Sequence, residues 1–141
     1  MLLAARTLLP TLARRHRMRV PGSTLAMASS AGDTSTVACY VTCPDFDTGK
    51  KLGGGLVEAK LAACVNIIPS ITSIYLWEGK VNYDPEHLLM IKTQASLVPE
   101  LTQYVQENHP YDVPEVIATP IVGGSAEYIS WVSESTKTAP P

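Results

Sequence analysis

The segment richest in potential ligand groups is a short run, NHPYDVPE, at positions 108–115. It carries an imidazole, a phenol and two carboxylates on His109, Tyr111, Asp112 and Glu115. Imidazole and carboxylate groups suit copper or zinc, so His109, Asp112 and Glu115 form a candidate metal site. The alternative is structural: His109 ends a helix as a cation near the negative end of the dipole, while Tyr111 packs in the core or at an interface.

The three cysteines are the second set of potential metal ligands. Cys39 and Cys43 alternate on one face of a predicted strand, which separates them by about 13 Å at ~3.3 Å per residue. Two thiolates on one ion, with bonds of about 2.3 Å, lie within roughly 4 Å of each other. We therefore expect Cys39 and Cys43 to be buried as small apolar side chains. Cys64 lies between the first predicted helix and the second strand, where we also expect burial rather than metal binding. An odd number without a CxxC pair also argues against a disulfide framework.

Three consecutive glycines, Gly53–Gly55, raise the question of a phosphate-binding loop. A Walker loop needs GxxxxGK[ST], but here the lysines precede the glycines. A Rossmann turn needs its glycines directly after a strand, and these begin ten residues past Cys43. We therefore expect a helix to run through them. Because three glycines cost about 2–3 kcal/mol relative to alanines, its first half is predicted to be frayed or flexible.

No catalytic motif accompanies these groups. The sequence has no Ser-His-Asp order with a nucleophile elbow, no metalloprotease helix motif and no paired-carboxylate motif, which predicts a protein that is not an enzyme. Residues 36–141 carry 6 lysines against 12 acidic residues, a net charge of −6. An acidic domain without a basic stripe argues against nucleic acid as a partner.

The first 35 residues differ in composition, with five arginines and one acidic residue. Their start, MLLAARTLLPTLARRHRMRV, resembles a mitochondrial transit peptide more than a secretory signal, because Arg6 and Pro10 interrupt any apolar region. The alternatives are a disordered basic arm, or a start at Met27 that would leave the product cytoplasmic. We expect three units: a transit-like or disordered segment at 1–35, a folded domain at 36–135 and a disordered tail at 136–141.

The apolar pattern predicts the elements that must position these groups, in the order β-α-β-β-α-β with one further helix. The predicted strands are Thr36–Cys43, Cys64–Trp77, Val81–Gln94 (interrupted near Pro85) and Glu115–Val122, and the predicted helix caps are Asp45, Ser96 and Ser125. Pro69 is expected at a bulge or a sheet edge. The order is that of a ferredoxin-like split β-α-β fold of the α+β class, with an antiparallel sheet and helices on one face.

Two aromatic residues near the tip of the predicted hairpin, Tyr75 and Trp77, would be partly exposed on a single small sheet. An apolar patch at a sheet edge favours self-association. We therefore predict Tyr75, Trp77 and, from the ligand-rich loop, Tyr111 as interface residues of an oligomer. The alternative is a binding platform.

Several segments closely resemble the CutA1 divalent-cation-tolerance proteins. The matching stretches, between Val37 and Trp131, are VTCPD, KLAACVNIIPSITSIYLWEGK, MIKTQ and HPYDVPEVIATPI. The resemblance implies a ferredoxin-like subunit in a very stable homotrimer, binding of copper or another divalent metal, and no established catalytic activity. Mammalian members are also linked to anchoring acetylcholinesterase at neuronal membranes, which implies an esterase partner and peripheral membrane association.

The resemblance further implies a copper constellation of one cysteine on the first strand and two adjacent histidines. The matching positions here are Val41, Asn108 and His109, so only His109 carries over and a weak copper site is expected. The first hypothesis is a non-enzymatic homotrimer that binds divalent metal. The alternatives are a scaffold that helps to anchor a membrane-associated esterase and, by fold analogy alone, a signalling trimer that binds a small molecule between subunits.

Overall fold

The structure is a computed structural model that describes residues 35–138. The predicted transit-like segment, up to residue 34, and the last three residues of the predicted tail lie outside this range. The elements are β1 (Thr36–Cys43), α1 (Phe46–Glu58), β2 (Cys64–Trp77), β3 (Lys80–Gln94), a 3₁₀ turn (Ala95–Leu97), α2 (Val98–Asn108), β4 (Ile117–Pro120) and α3 (Ala126–Ser135).

The four strands form one sheet in the order β2-β3-β1-β4, and every neighbouring pair is antiparallel. The predicted ferredoxin-like α+β fold is therefore confirmed. The β2–β3 hairpin turns at Glu78 and Gly79, which have φ angles of 50° and 75°. Since the pairing of β1 with β3 stops at Cys43 and His87, the outer half of the hairpin extends beyond β1. We call this part, residues 71–86, the outer hairpin.

The hairpin contains two prolines, and only Pro69 lies at an irregularity of the pairing. The register of β2 against β3 shifts between Ile68 and Ile71, so Pro69 is at a bulge on an edge strand, as predicted. The predicted interruption near Pro85 is wrong, because β3 is continuous and Pro85 pairs with Thr72. Proline is tolerated there because β1 has already ended and β3 is unpaired on that side.

The core lies between the sheet and the helices α1 and α2. Along β1, alternate side chains enter it, among them Cys39 and Cys43, which are fully buried. This confirms the prediction that these two cysteines act as small apolar side chains. Cys64 is only half-buried. The remaining core residues are Val37, Val41, Leu52, Leu56, Leu61, Ala62, Leu89, Ile91, Leu97, Leu101 and Val105.

Helix α1 is continuous through its glycines, so the expectation of a frayed first half is wrong. It begins where the Asp45 carboxylate accepts the N–H of Thr48 at 2.7 Å. A Cβ on Gly53 would lie 3.1 Å from Val65 on β2, and one on Gly55 would overlap the Tyr104 hydroxyl of α2. The glycines therefore allow α1 to approach both neighbours closely, a gain in packing that helix propensity alone does not include.

The cap predicted for α2 is at another residue, and the cap of α3 is at the predicted residue. Ser96 lies in the 3₁₀ turn, and α2 begins after Leu97 without a side-chain cap. Ser125 precedes α3 as predicted, but its hydroxyl makes no capping bond. Among residues 35–138, none of the helices combines the length and apolar character needed to cross a bilayer.

Candidate functional site

A groove of about 620 Å³ opens where the outer hairpin meets the loop between α2 and β4. Its charged lining consists of four carboxylates: Asp84 and Glu86 on β3, and Asp112 and Glu115 on the loop. None of the lysine, arginine or histidine side chains that the structure describes is part of the lining. The groove is therefore acidic on two sides. We call it the acidic groove.

The strand alternation places polar groups of β2 and β3 on the same face. Ser73 pairs with Asp84 in the antiparallel register, and diagonal neighbours in such a pair are within side-chain reach. The Ser73 hydroxyl donates a hydrogen bond to the Glu86 carboxylate, and the Tyr75 phenol donates one to the Asp84 carboxylate. Both carboxylates are thus oriented by donors from the neighbouring strand.

Glu86 is the most buried of these acids, with 6% of its surface exposed. Its other carboxylate oxygen accepts a hydrogen bond from the Tyr111 phenol at 3.0 Å. The donors to Glu86 are thus neutral hydroxyl groups. A buried carboxylate that lacks a cation pays an electrostatic penalty even when it is hydrogen-bonded. A cation in the groove would remove that penalty.

Two phenol groups in the acidic groove have raised pKa values. Burial, and then the hydrogen bond to Glu86, raise the pKa of Tyr111 to about 12. The hydrogen bond to Asp84 raises the pKa of Tyr75. Both phenols therefore remain protonated at neutral pH and keep donating to the carboxylates.

His109 is placed by the end of α2, and both of its ring nitrogens have partners. Nε2 donates to the carbonyl of Thr42 on β1 at 2.9 Å, and Nδ1 accepts the backbone N–H of Tyr111 at 3.1 Å. The ring also meets that of Tyr111 edge-on, with centroids 4.8 Å apart. His109 thus lies at the C-terminal end of α2, and its ring connects the loop to β1.

The other two predicted ligands, Asp112 and Glu115, are exposed on the wall of the acidic groove. Within residues 35–138, no group of three His, Cys, Asp or Glu side chains is placed to hold a metal ion. A single chain therefore does not assemble His109, Asp112 and Glu115 into a ligand set, and their role stays a prediction.

The predicted interface residues also line the acidic groove. Trp77 is 65% exposed, and Tyr75 and Tyr111 are each exposed over more than a third of their surface. Tyr111 is at the same time held by Glu86. The rings therefore present apolar surface beside the carboxylates, and their role as an interface stays a prediction.

The sequence reasoning missed Ser73, Asp84 and Glu86 as site residues. The signal was the alternation of Asp84 and Glu86 in the segment NYDPEH, opposite Ser73 and Tyr75 on the other arm of the hairpin. This alternation predicts a site only if the register of β2 against β3 is known, and the bulge after Ile68 shifts that register.

Comparisons with known proteins agree with the motifs in the sequence. Residues 37–135 match the family of the CutA1 divalent ion tolerance protein. Protein CutA, chloroplastic, of Arabidopsis thaliana is 47% identical over 131 residues, which are 93% of this chain and 72% of that protein. Protein CutA of Homo sapiens is 52% identical over 104 residues, 74% of this chain. The chain spans 58% of the length of this human relative.

Solved structures give the same result for the fold. CutA1 from Oryza sativa is 51% identical, with a TM-score of 0.74 over 78% of this chain and 100% of that chain. The divalent cation tolerance protein of Thermus thermophilus is 43% identical, with a TM-score of 0.71 over 72% of this chain and 99% of that chain.

Proposed function

The chain belongs to the CutA1 divalent ion tolerance family, and from that membership we propose that it is a non-enzymatic homotrimer that binds divalent metal. The structural observation that supports metal binding is the acidic groove, whose described lining has four carboxylates and no cationic side chain. Asp112 and Glu115 of the predicted ligand set belong to this lining, whereas His109 lies outside it. Carboxylate oxygens are ligands for divalent cations.

The metal with which to test this proposal is copper, through His109, Asp112 and Glu115. These residues fit a weak site better than a tight one. His109 Nδ1 accepts the N–H of Tyr111, so a metal on that nitrogen would break a hydrogen bond, at a cost of about 1 kcal/mol. Ligands from a neighbouring subunit would complete the set.

A calorimetric titration of Cu²⁺ into the assembled protein tests the site. We expect His109→Ala to weaken binding, and Asp47→Asn, an exposed acid on α1, to leave it unchanged. Circular dichroism checks that each variant is folded. Identical isotherms for the wild type and His109→Ala would remove this site from the proposal.

The non-enzymatic part of the proposal is supported by the state of the strand cysteines. Burial raises the pKa of Cys39 and Cys43 to about 11. Since the thiolate is the nucleophile, neither side chain is activated at neutral pH.

Assembly into a homotrimer is supported by the apolar surface of the outer hairpin, where Ile74, Leu76 and Trp77 are each more than 60% exposed. A lone subunit would leave this patch and the β2 and β4 edges in water. Light scattering at micromolar concentration tests the assembly, with Trp77→Ala as the weakened variant. A wild-type mass of one subunit would reject the trimer.

Anchoring of acetylcholinesterase stays a prediction of the resemblance. A pull-down with the wild type and Trp77→Ala, beside a mammalian relative as positive control, tests this alternative. If the relative captures the esterase and the wild type does not, the alternative is rejected.

We also propose that the arginine-rich residues 1–35 direct the chain to an organelle. The Arabidopsis and rice relatives are named chloroplastic, which supports targeting in general, and the arginine-rich, acid-poor composition favours mitochondria. Imaging of a fluorescent fusion, with a variant starting at Met27 as control, tests this. Equal distribution of the two would contradict it.

A further inference from the structure

Lys92 on β3 is a buried cation that has no carboxylate partner in the described part of the chain. Only 7% of its surface is exposed, and none of the ion pairs among residues 35–138 includes it. Its ammonium group donates hydrogen bonds to the side-chain oxygen of Asn66 and, at 3.3 Å, to the carbonyl of Met90. Both acceptors are neutral, and a buried charge with neutral partners carries an electrostatic penalty. Asn66 is exposed, so the ammonium group lies beside an accessible surface.

Glu86, six residues earlier on β3, is the complementary case. It is 6% exposed, and its donors are the hydroxyl groups of Ser73 and Tyr111. Since six residues of an extended strand span about 20 Å, Glu86 and Lys92 do not reach each other within one subunit. Each charge therefore needs a partner that the described part of its own chain does not supply.

Both charges lie on one face of the sheet, the face opposite α1 and α2. Alternate residues of a strand share a face, and Leu89 belongs to the set that enters the core under the helices. The set that contains Glu86 and Lys92 also contains Leu88 and Met90, which are both half-buried. We call these four residues the β3 row. It has an acidic end, an apolar middle and a basic end.

We propose that Lys92 of one subunit forms an ion pair with Glu86 of the next subunit in a head-to-tail ring. The inference rests on the proposed homotrimer and adds the residues that complete its contact. The basic end of one β3 row then faces the acidic end of another, and the apolar middles are covered. Because the two ends differ, the contact is heterologous, and a ring closes it. Three subunits form three such pairs and leave neither charge without a partner.

The acidic groove suits a lysine from a neighbouring subunit. Each carboxylate oxygen of Glu86 accepts one hydrogen bond and has a further acceptor site. The Lys92 ammonium group uses two of its three donors. The ion pair therefore forms without breaking a hydrogen bond of either subunit. The predicted interface residues Tyr75, Trp77 and Tyr111 line the same groove, so the same neighbour covers their rings.

A double-mutant cycle on subunit dissociation tests this pair in the full-length chain. The variants are Glu86→Gln, Lys92→Met and the two together, and Lys51→Met, which removes an exposed charge from α1, is the control. Light scattering over a dilution series at one fixed urea concentration gives the subunit concentration at half-dissociation. Each single variant should raise this concentration by about thirtyfold or more, the loss of one partner of a buried pair. Lys51→Met should stay within about twofold of the wild type.

The double variant should lie within about threefold of the weaker-binding single variant, because removal of both partners leaves no uncompensated charge. Residues more than about 10 Å apart in one chain usually have additive effects, so coupling between Glu86 and Lys92 arises across a subunit contact. Additive effects of the two substitutions, or an unchanged value in Lys92→Met, would overturn the inference and leave the homotrimer standing.

The mass of the wild-type protein separates this inference from the proposed function. A single subunit at every concentration would reject the homotrimer and the ion pair together. A dimer that shows the same coupling would reject the homotrimer and keep the ion pair. Circular dichroism establishes that each variant is folded, and Lys92→Gln, which keeps a hydrogen-bond donor for Asn66, replaces Lys92→Met in the cycle if that variant does not fold.

Discussion

The two ends of the β2–β3 hairpin differ in how far their apolar side chains are buried. At the inner end, β3 lies between β2 and β1 and is covered by helices, so Leu89 and Ile91 are fully buried. In the outer hairpin, β3 has only β2 as its neighbour in the described chain, and Leu76 and Tyr83 are more than 60% exposed. The same two strands therefore contribute to the buried core at one end and carry exposed apolar side chains at the other.

This difference indicates where the properties of the protein are decided. The inner end contains few charges, and its cysteines are held as thiols by burial. The outer end combines apolar rings with carboxylates, and no cationic side chain is among the described residues that line its groove. We therefore expect the inner end to determine stability, and the outer end to determine what the protein binds and how it assembles.

The largest effect is expected from a cavity at the inner end. Leu56 is fully buried between α1 and the sheet, and Leu56→Ala should lower the free energy of unfolding by about 2–5 kcal/mol. Val57, its neighbour on the exposed side of α1, is the control, and Val57→Ala should change stability by less than about 0.5 kcal/mol.

Urea denaturation at one fixed protein concentration measures both variants, since an oligomer's stability depends on concentration. Equal effects of the two substitutions would mean that α1 does not separate a covered face from an exposed one.

The second effect concerns assembly and should leave the fold intact. Leu76 is 69% exposed at the outer end, so Leu76→Glu removes no core contact but places a charge in the apolar patch. We expect loss of the oligomer by sedimentation, with an unchanged circular dichroism spectrum. Lys51→Glu, an exposed charge change on α1, should keep the wild-type mass. An intact oligomer in Leu76→Glu would place the interface elsewhere.

The inner end was the more predictable of the two from sequence. Alternation in β1, with Cys39 and Cys43 on its buried face, predicted the core side of the sheet correctly. The order of strands and helices then predicted the ferredoxin-like arrangement, which the structure confirms. These signals are local and periodic, which is why a sequence reveals them.

The errors concern contacts between distant residues. The fit of α1 at Gly55 depends on Tyr104, 49 positions further along the chain, and at Gly53 on Val65 of β2. The acidic groove depends on the register that sets Asp84 opposite Ser73. Helix propensity and loop composition carry no information about these contacts. The prediction of a frayed helix was therefore wrong, and the acids of the groove were not predicted.

A third, smaller effect is an alkaline loss of stability from the inner end. Burial raises the pKa of Cys39 and Cys43 from 9.0 to about 11. Between pH 9 and 11 the unfolded chain loses these protons while the folded chain keeps them. The unfolded state thus binds fewer protons, and stability falls as pH rises.

Urea midpoints measured from pH 8 to 11 check this expectation. The double variant Cys39→Ala and Cys43→Ala should show a shallower decline than the wild type, although it begins from a lower stability because of its cavities. A parallel decline in both would assign the alkaline transition to other groups, such as Tyr111 at the outer end, whose pKa is raised to about 12.

The smallest effect is a gain in stability at a position that makes no contact with the core. A Cβ on Gly54 would meet no atom within 4 Å, so Gly54→Ala should stabilise α1 by about 0.5–1 kcal/mol through helix propensity alone. Gly55→Ala adds the same methyl group one residue on, where it would overlap the Tyr104 hydroxyl and lie 2.9 Å from Cζ of that ring. Overpacking of this kind costs about 1–3 kcal/mol, so the second variant should be destabilised.

Thermal unfolding of the two variants decides between two explanations of the glycine run. Opposite signs mean that close packing against α2 requires Gly55, and a gain in both means that α1 has room that the structure does not indicate.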